Sequence, residues 1–129
     1  MPKYIAQIPM LPSTCIEKTQ AFYEDVLGFT VLDTHLENGV LEWIRLRADA
    51  AQVMFYNPEA SGNAQVAFPS PESMVIYLQV DALDKLHAHL KAHGLPVSEI
   101  RVTFYGMNEF DLADPNGYTL TFGHHAPEI

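Results

Sequence analysis

This 129-residue chain has one cysteine, few basic residues and no long apolar run. Each shortage excludes something. Cys15 alone cannot close a disulfide within the chain, and a reducing cytoplasm is the expected compartment. Seven Lys and Arg stand against 16 Asp and Glu, a formal charge of −9. The bases do not cluster; Arg45 and Arg47 are the nearest pair. Nucleic acid is therefore not an expected partner, because neutralising phosphates needs a basic face. Acidity favours a cationic or neutral small molecule, or serves solubility alone. No apolar run is long enough for a membrane span. The opening MPKYIAQIPMLPS has one Lys and an apolar patch broken by Pro9 and Pro12, so a secretion signal is not expected. No G-x-S-x-G, Walker A or G-x-G-x-x-G pattern occurs, and Cys15 has no cation beside it in sequence to activate a thiol. No catalytic residue is assigned.

Apolar residues make up 48% of the chain, enough for a core, and one domain over 1–129 is expected. Ala6 to Leu11 is a short strand candidate. Ser13 and Thr14 can cap a helix in which Ile16, Thr19, Phe22 and Val26 recur at helical spacing, and Gly28 ends it. Strands are predicted at 29–32, 42–46 and 52–56, with a turn over 47–51. Asn57 to Ser73 reads as a loop. A strand at 74–80 follows, then a helix from an Asp81 cap to His93, stopped by Gly94. Strands at 97–104, 108–112 and 118–122 complete the chain.

The layout repeats. At an offset of about 66 residues Gly28 falls on Gly94 and Val31 on Val97; at about 67, Glu42 falls on Glu109, Trp43 on Phe110 and Phe55 on Phe122. Each half reads strand, helix, three strands. The expected fold is α+β: two tandem βαβββ modules forming a curved mixed sheet around a cavity, helices outside. Module one covers about 1–57, a linker 58–73, and module two 74–125.

The stretch EFDLADPNGYTLTFGHH, Glu109 to His125, reads as a hairpin with Asp-Pro-Asn-Gly at its turn. Asp114 there is read as a turn former, not a catalyst. His89 and His93 are four apart on one helix face, a spacing that can bind zinc, but they read as surface residues. His124 and His125 follow the last strand. His35 shows no partner in sequence.

These residues carry a resemblance. IPMLPSTCIEKTQAFYEDVLGF (Ile8 to Phe29), MVIYLQVDALDKLHAHL and GMNEFDLADPNGYTLTF (Gly106 to Phe122) resemble the modules of the vicinal-oxygen-chelate superfamily, which includes glyoxalase I, extradiol dioxygenases and bleomycin-resistance proteins. Pro9 in the first strand, and Tyr105 before G-x-x-E-F-x-L-x-D-P-x-G, resemble the bleomycin-resistance branch in particular.

The resemblance implies either of two functions. Metal-dependent members hold a divalent ion with His, Gln or Glu on facing strands. Those positions fall here at Ile8, Met74 or Val75, and Thr121, with Met54 as the repeat partner of Thr121; none suits such an ion. Gln7 is one residue away, on the opposite face of a strand. No metal ligand or cofactor is therefore expected. The first expectation is metal-free binding and sequestration of a small cationic or aromatic molecule, with a bleomycin-type antibiotic as the candidate, in a groove of a homodimer. The alternative is a metal-dependent lyase, thiol transferase or dioxygenase. The expected ligand-binding residues are Trp43, Phe55, Phe104, Tyr105 and Glu109, with Glu42 and Asp111 as further negative charge. Aromatic faces stack on flat cations. Glu109 alternates with Phe110, so the two cannot face the same side.

Overall fold

Residues 1–59 and 70–127 are described by the computed structural model of the chain. Two units, Met1–Phe68 and Pro69–Ile129, each carry one four-stranded mixed sheet and one main helix. The expected α+β class and paired βαβββ modules are what the chain forms. Most of the expected linker, at 60–69, lies outside the described residues.

In the first unit β1 (Met10–Pro12) is shorter than the predicted 6–11. Proline has no N–H to give a ladder. The Pro9 carbonyl accepts from the Met54 amide at 2.9 Å, and pairing begins only then. Helix α1 (Ile16–Ala21) runs on into a π-helical turn over Phe22–Val26. Neither Ser13 nor Thr14 caps it: the residue before the helix is Cys15, with no side-chain cap bond. The buried Ser13 hydroxyl pairs instead with Thr19 Oγ1 at 3.0 Å. The helix ends as expected at Gly28, φ +78°, where the Phe29 amide reaches back to the Tyr23 carbonyl at 2.8 Å.

Strands β2 (Thr30–Glu37), β3 (Val40–Ala48) and β4 (Ala51–Tyr56) follow. β2 is twice the predicted length because it continues to a two-residue Asn38-Gly39 turn with φ 52° and 77°, the left-handed pair a tight hairpin needs. The predicted turn over 47–51 shrinks to Asp49-Ala50. Sheet order is β1-β4-β3-β2, with β1 parallel to β4. Ile44, Leu46, Val53 and Phe55 bury one face, and the Tyr23 ring packs on Phe55 at 5.2 Å and on Phe29 at 5.3 Å. Each such side chain contributes about 1.5–3 kcal/mol of burial.

The second unit repeats the order. β5 (Val75–Gln79), α2 (Leu83–Ala92), β6 (Arg101–Val102), β7 (Met107–Ala113) and β8 (Thr119–His125) give a sheet ordered β5-β8-β7-β6, with β5 parallel to β8. Asp81 does not cap α2: Ala82 precedes the helix and no side chain caps it. Gly94, φ +77°, stops it as expected. Of the strand predicted over 97–104 only Arg101–Val102 forms. Ser98 takes over there: its amide donates to the Asp111 carbonyl at 3.0 Å, and its hydroxyl accepts from the Asp111 amide at 2.8 Å. A side chain thus replaces a ladder bond. Under α2, His87 meets Phe110 at 4.8 Å, and Phe110 stacks on Phe122 at 5.1 Å.

The repeat is real but its register differs by one from the sequence alignment. Leu11 pairs with Phe55 as Leu78 pairs with Phe122. Phe55 then pairs with Ile44, and Phe122 with Phe110. So the counterpart of Phe110 is Ile44, and the counterpart of Glu109 is Trp43. The cause is the hairpin turn. Asp49-Ala50 closes the first, whereas Pro115–Gly117, one residue longer, closes the second beyond the Asp114–Tyr118 pair.

Candidate ligand-binding face

Alternation decides which side chains leave the sheet away from α2. With Phe110 and Leu112 buried beneath the helix, Glu109 and Asp111 must lie on the opposite face. Directly paired residues share a face, so Thr121 (paired with Asp111 and Tyr77) and Arg101 (paired with Glu109) join them.

Glu109 is the centre of this face. It is 1% exposed. Its Oε2 accepts from the Tyr77 hydroxyl at 2.7 Å and the Tyr105 hydroxyl at 2.6 Å; its Oε1 accepts from Arg101 at 3.1 Å. Arg101 also grips both oxygens of Asp111, at 2.9 and 3.1 Å, and the Thr121 hydroxyl donates to Asp111 Oδ1 at 2.8 Å. Burial pushes the Glu109 carboxyl up; the bonds from Tyr105 and Tyr77 and the charge of Arg101 outweigh it and hold it below the ordinary range. Burial, and then the bond to Glu109 and its negative charge, push the Tyr77 phenol up to about 12. Glu109 is therefore ionised at neutral pH. Two carboxylates share one guanidinium, which leaves this face net negative.

Tyr77 reaches Glu109 because Gly123 lies between them. A Cβ there would land on the Tyr77 hydroxyl and stand 2.6 Å from its Cζ. Tyr105 arrives from the turn before β7, where Gly106 has φ +79°. Phe104, fully exposed, meets the Tyr105 ring edge-on at 4.9 Å.

The five expected residues separate. Tyr105 and Glu109 are bonded, with Phe104 beside them. Trp43 lies in the first unit, half-buried on the face away from α1, between its ladder partners His35 and Tyr56. Phe55 does not belong with them: it is fully buried on the α1 side, against Tyr23. Tyr77 and Arg101 escaped the sequence reading. Alternation along Val75–Gln79 would have placed Tyr77 on the face of Thr121; nothing in the sequence pairs Arg101 with Glu109. Asp114 is a turn former, as expected: its carboxylate accepts from the amides of Asn116 and Tyr118 at 2.9 and 3.0 Å.

The positions at which the resemblance implies a metal carry no ready ligand for one. Thr121 offers a hydroxyl already given to Asp111, beside Tyr77; Met54 lies beside Met10; Val75 lies beside Thr119; and Ile8 precedes β1. Thioethers, alkyl groups and a hydroxyl are poor donors to a Lewis-acidic divalent ion. Among the described residues, no helix is long and apolar enough to cross a membrane.

Four similarities place the chain among known proteins. Residues 6–122 match the profile of the Glyoxalase/Bleomycin resistance protein/Dioxygenase superfamily. A bleomycin resistance protein of Geobacillus stearothermophilus is 26% identical over 127 residues, covering 92% of this chain and 95% of that one. In solved structures, TnmS3, an antibiotic binding protein from Streptomyces sp. CB03234, superposes with TM-score 0.76 at 21% identity, over 98% of this chain and 99% of that one. Lactoylglutathione lyase from Agrobacterium tumefaciens gives 0.74 at 18%, over 96% and 95%. The fold thus serves both binding proteins and enzymes.

Proposed function

The chain belongs to the Glyoxalase/Bleomycin resistance protein/Dioxygenase superfamily, and from that premise we propose that it captures a small cationic or aromatic molecule and breaks no bond in it. The observation that carries this is the ionised Glu109 carboxylate, sunk in the sheet beneath two phenols, with the exposed rings of Tyr105 and Phe104 at its edge. Fixed negative charge beside aromatic faces attracts a flat cation. The similarity to a bleomycin resistance protein and to an antibiotic binding protein supports a binding role at family level. A bleomycin-type glycopeptide is the first ligand to try. Trp43, on the corresponding face of the first unit, is a further stacking surface.

Protection follows by mass action: a tight complex in the cytoplasm lowers the free concentration of the toxin. The resemblance to bleomycin-resistance proteins implies a homodimer with a groove between copies, which would carry two equivalent sites. Calorimetric titration of untagged protein with a bleomycin-type glycopeptide, with no metal added, tests it. Saturation near one ligand per chain is expected. No saturation with that ligand or with a panel of cationic aromatic compounds overturns the reading, and light scattering that finds only monomer removes the dimer groove.

A further inference from the structure

The β2–β3 hairpin of the first unit holds a second polar cluster. His35 and Glu37 are two apart on β2, so their side chains leave the same side. On β3 the ladder skips a residue: His35 pairs with Trp43 and Leu36 with Leu41, which leaves Glu42 as a bulge. The Glu42 carbonyl accepts from the Asn57 amide at 2.8 Å instead. A bulge re-aims a side chain that alternation would send elsewhere. Here it brings Glu42 Oε2 to 3.8 Å from His35 Nε2, while Glu37 Oε2 stands at 3.0 Å. The three donor atoms lie within 4.8 Å of one another, the one such group among the described residues.

We propose that His35, Glu37 and Glu42 form a binding site for a divalent transition cation of the zinc class. Donors held about 2.0–2.2 Å from a tetrahedral ion stand about 3.3–3.6 Å apart. The distances of 3.0 and 3.8 Å from His35 Nε2 bracket that spacing, so small rotamer changes seat the ion. One imidazole with two carboxylates suits zinc, or copper and nickel, better than calcium or magnesium, which prefer oxygen alone. Two carboxylates beside a single imidazole give a donor set whose charge suits a divalent ion. The Glu42 side chain is 17% exposed, whereas His35 and Glu37 are more than half exposed, so the site is anchored on one side and open on the other. The Asn38-Gly39 turn sets the register, and the donors are together before any ion arrives.

His89 and His93 are the rival. Their rings are 4.3 Å apart at the C-terminal end of α2, but they supply two donors only, and His93 Nδ1 is engaged by the His89 carbonyl at 2.9 Å. The site does not depend on ligand capture at Glu109, and either can fail alone.

Equilibrium dialysis of the untagged full chain against Zn2+ alone, with metal content read by mass spectrometry, is the test. One ion per chain is expected. H35A and the E37Q/E42Q double variant should each weaken binding at least about tenfold, while H89A/H93A leaves it unchanged. All five positions are exposed or half-buried, and circular dichroism checks that each variant folds. Binding that persists in H35A or in E37Q/E42Q, loss in H89A/H93A alone, or no saturable binding overturns the proposal.

Discussion

Tyr77 and Gly123 fit together as a pair: the phenol lies where any side chain on Gly123 would have to stand, and only its passage there brings the hydroxyl to Glu109 at 2.7 Å. Gly123 thus acts through the space it leaves, at a backbone angle open to any residue. Gly123→Ala should displace Tyr77 and cost about 1–3 kcal/mol, the range for leaving a buried polar group short of a donor. In a Tyr77→Ala background the same change should be nearly neutral. Urea denaturation of the four proteins gives the coupling.

Acid and base should act on this network in opposite ways. Glu109 is held below its ordinary value of 4.5, so its contribution to stability is present above that value and lost as pH falls through the depressed one. Glu109→Gln should flatten the acid limb of the stability profile. Tyr77, raised from 10.0 to about 12, contributes fully below 10 and loses its share as pH rises towards 12. Tyr77→Phe should flatten that limb. Denaturant midpoints measured across pH read both.

Phe55 and Tyr105 should separate stability from binding. Phe55→Ala empties a fully buried site against Tyr23 and should cost about 3–5 kcal/mol. Tyr105→Ala, at a half-exposed ring, removes one donor to the buried Glu109 and should cost less, about 1–3 kcal/mol, while weakening ligand capture at least about tenfold, about 1.4 kcal/mol. Thermal melts and titrations on both variants decide it.

Trp43→Ala should lower affinity as Tyr105→Ala does, with little loss of folding, because its indole is half-buried on the face away from α1. Quenching of this single Trp by ligand, measured by fluorescence, is the expected companion signal.

Much of the fold was legible beforehand. Gly28 and Gly94 marked both helix ends, since only a residue without Cβ takes the left-handed turn there cheaply. The element order along each module, the turn role of Asp114 and the opposition of Glu109 to Phe110 followed from local chemistry and alternation. Reading missed most where polarity hid a strand: Thr34 to Glu37 show no apolar alternation, and only pairing with β3 makes them extended. The Asn38-Gly39 signal that would have extended β2 was in plain view.

The sequence by itself determined the residue types and their alternation along each strand, and with it that Glu109 and Phe110 leave opposite faces. Tertiary structure alone decided the partnerships. Tyr77 and Glu109 are 32 residues apart and meet only because β5 and β7 flank β8. The one-residue difference between hairpin turns set Glu109, not Phe110, opposite the role of Trp43, and the bulge at Glu42 gave His35 the partners that no local pattern shows. Register is a property of pairing, and one residue of slip changes which face a side chain leaves from.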